Sequence, residues 1–199
     1  MTEPLRIVLA TGNQGKVKEI KHILGSVQVE FKTLLDFPDV VPAEETGSTF
    51  EDNALAKALH VWRETGLASL ADDSGLEVDA LGGEPGVRSA RFAGEDGSYA
   101  ANNEKLIRVL SDVPKDERTA RFVCVAVLVT PAGKMVLQRG EMEGLIVDEP
   151  RGSGGFGYDP IFYVPHLKKT VAELDEAEKN SISHRAKAFG AMKSFIAAL

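Results

Sequence analysis

From Phe122 to Val129 the chain reads Phe-Val-Cys-Val-Ala-Val-Leu-Val, with apolar residues at both alternating positions. A strand turns successive side chains to opposite faces, so apolar residues at both parities require cover on both sides. Thr119–Val129 is therefore expected to be a central strand with helices packed on its sheet, which places the chain in the α/β class. Pro131-Ala-Gly133 should turn it back into Met135-Val-Leu137 as an antiparallel hairpin, making the sheet mixed. Cys124, the only cysteine, lies inside this run and reads as core packing rather than as a nucleophile.

The other elements follow from periodicity. Arg6-Ile-Val-Leu-Ala-Thr11 is a short strand, and Val17, Ile20 and Leu24 recur at helical spacing after it. Residues 27–34 alternate as a half-buried strand, and 35–45, with Pro38 and Pro42, form a loop. Ser48 and Glu51 have the spacing of a capping box, so a helix should start there, bury Phe50, Ala54, Ala58 and Val61, and stop at Gly66. It feeds a strand, Leu67-Ala-Ser-Leu-Ala71, that is expected to end in the turn Asp72-Asp-Ser-Gly75. Leu76, Val78 and Ala80 alternate, Leu106, Val109 and Leu110 mark a helix over about 98–111, and residues 161–164 form a short strand. Ile182, Ala186, Phe189 and Ile196 then lie along one face of a C-terminal helix.

At 199 residues this is expected to be a single domain, 1–199, with two lobes. The formal charge of -7 argues against a protein that coats nucleic acid, which needs a net basic face. Met-Thr-Glu-Pro-Leu-Arg has no apolar leader core and no run is long enough to span a bilayer, so a cytoplasmic protein that binds no membrane is expected.

Several stretches could carry chemistry. Thr11-Gly-Asn-Gln-Gly-Lys16 joins a strand to a helix N-terminus, where unbonded N–H groups and a lysine favour an anion; its glycine spacing fits neither a Walker loop nor a dinucleotide loop. Lys57 lies near the edge of an apolar helix face, where it either snorkels or neutralises a polyphosphate. Asp72 and Asp73, taken alone, are most simply turn composition, but with Glu44 and Glu45 they would supply the hard oxygens that Mg²⁺ accepts. Phe156 and Tyr158 in a glycine-rich loop would suit a stacked purine, and Lys179, His184 and Arg185 are a basic trio. Arg185, with donors only, suits a 6-oxo base and disfavours adenine.

Six motifs in order, Ala10-Thr-Gly-Asn-Gln-Gly-Lys16, Glu44-Glu-Thr-Gly47, Ala71-Asp-Asp-Ser-Gly75, Pro85-Gly-Val-Arg-Ser-Ala-Arg91, Gly154-Gly-Phe-Gly-Tyr-Asp-Pro160 and Ser183-His-Arg185, resemble the inosine triphosphate pyrophosphatase family almost end to end. The resemblance implies an elongated mixed sheet with flanking helices, two lobes around a central nucleotide cleft, and a homodimer. It implies hydrolysis of dITP, ITP and XTP to the monophosphate and pyrophosphate, with Mg²⁺. Carried onto this chain, it makes Asp73 the general base and Glu44 and Asp73 the metal ligands. Thr11, Gly12, Asn13, Gln14, Gly15, Lys16 and Lys57 would hold the triphosphate. Ser74, Phe156, Gly157, Tyr158, Asp159, Lys179, His184 and Arg185 would bind the rest of the nucleotide. The residues alone do not separate Glu44 from Glu45. Two other readings remain: a pyrophosphatase for pyrimidine or methylated bases, and a nucleotide sensor without turnover.

Overall fold

The elements run β1 (Arg6–Leu9), α1 (Gln14–Ile23), β2 (Glu30–Thr33), α2 (Phe50–Thr65), β3 (Ala68–Val78), α3 (Tyr99–Val109), β4 (Thr119–Val129), β5 (Met135–Ile146), β6 (Phe162–Val164), β7 (Lys169–Thr170), α4 (Glu176–Ile182) and α5 (His184–Ala197). They are those of a computed structural model that describes residues 4–95 and 97–199. Residues 1–3, part of the segment expected to lack a leader core, lie outside the described residues. The strands form one sheet in the order β2-β1-β3-β4-β5-β6-β7. β1 is parallel to both β2 and β3, whereas β6 is antiparallel to β5 and β7, so the sheet is mixed. Thr130 donates to Lys134 O at 2.8 Å and Gly133 to Thr130 O at 2.9 Å, closing the expected turn between β4 and β5.

The chain divides into two compact units: Met1–Asp73, Cys124–Gly140 and His184–Leu199 make the first, and Ser74–Val123 and Glu141–Ser183 the second. In the first, Ile7, Leu9, Ala68, Leu70, Cys124, Ala126 and Leu128 form one sheet face, packed by Val17, Ile20 and Ile23 of α1 and Ala188, Phe189 and Met192 of α5. Ser69, of the opposite parity, donates its hydroxyl to Ala58 O at 2.6 Å, so α2 covers the other face. Val125 and Val127 are buried on that parity too, which fits a strand covered on both sides. In the second unit, Leu76 and Val78 pack with Leu106, Leu110, Phe122, Tyr158, Ile161 and Phe162. The Phe122 and Phe162 rings lie 4.4 Å apart there.

Four expectations are corrected. β3 does not turn at Asp72 but runs unbroken to Val78, joining two expected strands into one. Thr49 rather than Ser48 caps α2, accepting from Asp52 N at 3.1 Å, and Glu51 pairs instead with Arg139. β2 keeps only Glu30–Thr33. The C-terminal helix is two helices, because Ser183 adopts an extended ψ of 153° between α4 and α5. Ile182 packs in the second core and Ala186 in the first, so one continuous amphipathic face was not needed. Gly66 ends α2 at a φ of 67°, as the sequence indicates. No helix among the described residues is long and apolar enough to cross a membrane.

Phe189, fully buried between α5 and the sheet, is the clearest test of this core. Phe189→Ala is expected to destabilise the protein by about 3–5 kcal/mol, read as a fall in the urea midpoint without loss of secondary structure at low denaturant.

Candidate active site

Because β3 is continuous, Asp72 and Asp73 point to opposite faces of the sheet. Asp72 faces α1 and α5. Its Oδ2 receives Lys16 Nζ at 2.9 Å and lies 3.7 Å from Arg185 Nε, and the Arg185 guanidinium also bonds Glu19. Burial alone would lower the pKa of Arg185, but the Asp72 and Glu19 carboxylates outweigh it and hold the guanidinium firmly charged. Cys124 Sγ lies 3.9 Å from Asp72 Oδ2 and is fully buried, in keeping with a packing role.

Asp73 faces α2. Its Oδ1 accepts from Lys57 Nζ at 3.1 Å and its Oδ2 from Asn53 Nδ2 at 3.2 Å. Asn53 and Lys57 are one helical turn apart, so α2 presents both to the same carboxylate. Burial raises the Asp73 pKa, and Lys57 and Lys16 oppose that without reversing it. A raised carboxylate is a better proton acceptor. For Lys57, burial works to lower the pKa while Asp73, Asp72 and Glu45 raise it, and the net shift is upward. Lys57 also holds Glu45 at 2.9 Å; Glu44 and Glu45 are both exposed. His60, farther along α2, meets Val41 O at 2.6 Å, so the acidic loop is strapped to this helix at several points.

The loop 11–16 is ordered by its own side chains. Asn13 N donates to Thr11 Oγ1 at 3.2 Å, and Asn13 Oδ1 caps α1 by accepting from Lys16 N at 3.2 Å. The N–H groups of Gln14 and Gly15 have no carbonyl one turn back to bond, as at any helix start. Gly12 has open space where a side chain would stand.

In the second unit, Asp159 organises the glycine-rich loop. Its Oδ2 accepts from Phe156 N and from Lys179 Nζ, both at 2.8 Å. Gly155, at a φ of +72°, is required there, because a Cβ would lie 2.0 Å from Asp159 Oδ2. Lys179 Nζ stands 4.8 Å from the Phe156 ring centroid, and Tyr99 lies 6.3 Å from it at a tilt of 37°. Phe156 is therefore presented half-buried, with a cation beside it.

Several expected contacts are placed differently. Tyr158 is buried in the second core, donates its hydroxyl to Ser89 O at 2.9 Å, and has its pKa pushed well up by burial, so it is an anchor for the loop rather than an open surface. Ser89, from the Pro85–Arg91 motif, in turn accepts from Leu76 N of β3 at 2.8 Å. The basic trio is not one helix face: Lys179 belongs to α4, while His184 and Arg185 are buried at the head of α5. Ser74 is half-buried on β3 beside Asp73, and Asn103 Nδ2 holds Gly157 O at 3.2 Å. The sequence reading missed Asn53 and Glu19; a polar residue one turn before Lys57, beside Ala54, was the available signal for the first.

Among the described residues no group of three or more His, Cys, Asp or Glu side chains forms a metal cage. One or two carboxylates fit Mg²⁺ nonetheless, because that ion keeps several waters and shares its remaining positions with substrate phosphates.

A strand-borne carboxylate with a raised pKa, set between a lysine and an amide, with Lys16 of a capped loop on the neighbouring Asp72, fits the class of α/β-fold enzymes that hydrolyse a polyanionic substrate. A model of the Ham1 family matches residues 7–195. A dITP/XTP pyrophosphatase of Desulforamulus reducens is 54% identical over 184 residues, 92% of either chain, and one of Geobacter sulfurreducens is 51% identical over 191 residues, 96% of either chain. The solved structure of a HAM1 protein from Coxiella burnetii superposes with a TM-score of 0.90 at 43% identity, covering 98% of this chain and all of that one (100%). The chain belongs to the Ham1 family.

Asp72 holds two cations in a place where neither finds much water. Asp72→Asn is expected to cost about 3–5 kcal/mol, seen as a lowered melting temperature that added Mg²⁺ and nucleotide do not fully restore.

Proposed function

We propose that this protein hydrolyses non-standard purine nucleoside triphosphates, dITP, ITP and XTP, to the monophosphate and pyrophosphate, clearing them from the nucleotide pool. The observation that carries this reading is the Asp73 carboxylate, buried on β3 with a raised pKa and held from two sides by α2. The relatives whose names specify dITP and XTP support the substrate class.

In this reading the loop Thr11, Gly12, Asn13, Gln14, Gly15 and Lys16, with Lys57, takes the triphosphate. Asp73 accepts the proton of a water attacking the α-phosphorus. Lys16 and Lys57 stabilise the charge that develops on the departing pyrophosphate. Asp73 and Glu44 would hold Mg²⁺, Glu45 being engaged by Lys57; the ion would supply charge neutralisation on the phosphates. Ser74, Gly157, Asp159 and His184 complete the nucleotide site, with Tyr158 acting through the loop it anchors. Phe156 stacks on the base and Lys179 supports it. A guanidinium has five N–H donors, so Arg185 can donate to a 6-oxo group while keeping Glu19 and Asp72. A backbone N–H facing position 2 would reject the guanine amino group and accept hydrogen or oxygen. The family resemblance supports a homodimer, which sedimentation at micromolar protein checks.

With Mg²⁺ present, ITP and XTP are expected to exceed GTP and ATP by about a hundredfold or more in kcat/KM, with pyrophosphate rather than orthophosphate as the released product. Equal rates on all four, or orthophosphate, would sink the reading. Asp73→Asn is expected to lower kcat by about 10²–10⁴-fold.

A further inference from the structure

We propose that Asn53 is a positioning residue that ties the acidic loop to Asp73, so that the base and the loop carboxylates are presented to a divalent cation as one pre-organised set. This rests on the role proposed above for Asp73. Asn53 is 1% exposed and sits in the first turn of α2, but it is not the cap, a task that Thr49 performs. A buried amide inside a helix is disfavoured unless its polar atoms are bonded. Here they are bonded to the two parts of the site. Oδ1 accepts from Gly47 N at 2.8 Å, and Nδ2 donates to Asp73 Oδ2 at 3.2 Å.

The loop is shaped to this amide. A Cβ on Gly47 would lie 2.7 Å from Asn53 Oδ1 and 2.7 Å from Asp52 Cβ, so only glycine lets the backbone come this close. Gly47 stands two residues after Glu45, with Thr46 between, so pinning it anchors the C-terminal end of the segment that carries Glu44 and Glu45. Lys57 bridges the same two parts, from Glu45 to Asp73, but as a cation. An ammonium competes with a divalent ion for the oxygens it holds, whereas a neutral amide donor does not. Asn53 therefore keeps the carboxylate aimed when Lys57 turns to phosphate. Groups that orient a metal-binding carboxylate typically matter by about 10–100-fold in affinity or turnover.

Asn53→Asp keeps one of the two bonds and removes the other. Its carboxylate still accepts from Gly47 N–H, so the loop stays pinned, but the donor to Asp73 is replaced by an acceptor. Expected are retained secondary structure with a lowered melting temperature, because a second buried carboxylate now faces Asp73, an ITP KM within about threefold, and a kcat lower by about 10–100-fold. A second, independent disruption is Asn53→Ala, read by titrating Mn²⁺ into the nucleotide-free protein and following the bound ion by electron paramagnetic resonance. Its dissociation constant is expected to rise about tenfold or more. Wild-type turnover in Asn53→Asp, or an unchanged Mn²⁺ constant in folded Asn53→Ala, would overturn the proposal. Asp73→Asn in parallel separates the two levels: if it stays active, the base assignment has failed, and if it is inactive while Asn53→Asp turns over normally, only the bridge has failed.

Discussion

Two adjacent carboxylates inside a covered strand cost free energy that water would normally offset, and β3 has to recover it from fixed cations. The period of the strand solves this by sending Asp72 and Asp73 to opposite faces. On one face Lys16 and Arg185 answer Asp72, and on the other Lys57 and Asn53 answer Asp73. The helices α1, α2 and α5 therefore each contribute a partner to the same two residues. The starts of α1 and α5 and the first turns of α2 are where those partners sit, so the charge pair and the helix packing specify one another.

What could be read from the sequence follows from how local each signal is. The doubly apolar β4, the stop at Gly66 and the turn at 130–134 depend on neighbouring residues only, and each stands as expected. The strand through Asp72-Asp73-Ser74-Gly75 could not be read that way. Its composition is that of a turn, and what it needs to be a strand is tertiary: a place in the sheet between β1 and β4, and Lys16, Lys57 and Arg185 to answer its carboxylates. The same holds for the candidate site. Lys16, Lys57 and Asp73 are legible as residues of the right type, but the burial of Tyr158 and its bond to Ser89 O are tertiary facts. The break at Ser183 belongs to this group too, since each half of the C-terminal segment answers to a different core.

The choice of cation on each face follows the work each carboxylate does. Arg185 is 2% exposed, and its planar fork suits a fixed pairing with Glu19 and Asp72. Lys16 and Lys57 keep 15% and 12% of their side chains exposed and carry a point charge on a flexible stem. Under the proposed roles, a residue that exchanges a carboxylate for a phosphate should be of the second kind, and both lysines are. Asp73, whose pKa is raised by burial, is paired among the described residues with Lys57 and the neutral Asn53, while Asp72 also has Arg185.

The charge balance then constrains what the site can accept. Lys16, Lys57 and Arg185 bring three positive charges, and Asp72, Asp73, Glu19 and Glu45, their partners, bring four negative ones. These residues are thus one unit negative before any substrate arrives, and exposed Glu44 adds to it. A triphosphate entering such a place cannot be neutralised by lysines that are already engaged, because freeing a lysine leaves a buried carboxylate uncompensated. On the proposed reading, a divalent cation held by Asp73 and Glu44 would resolve the conflict by supplying positive charge to carboxylate and phosphate alike, leaving Lys16 and Lys57 available to the anion. On that reading the acidic loop and the lysine loop would be complementary, and neither would favour a polyphosphate alone.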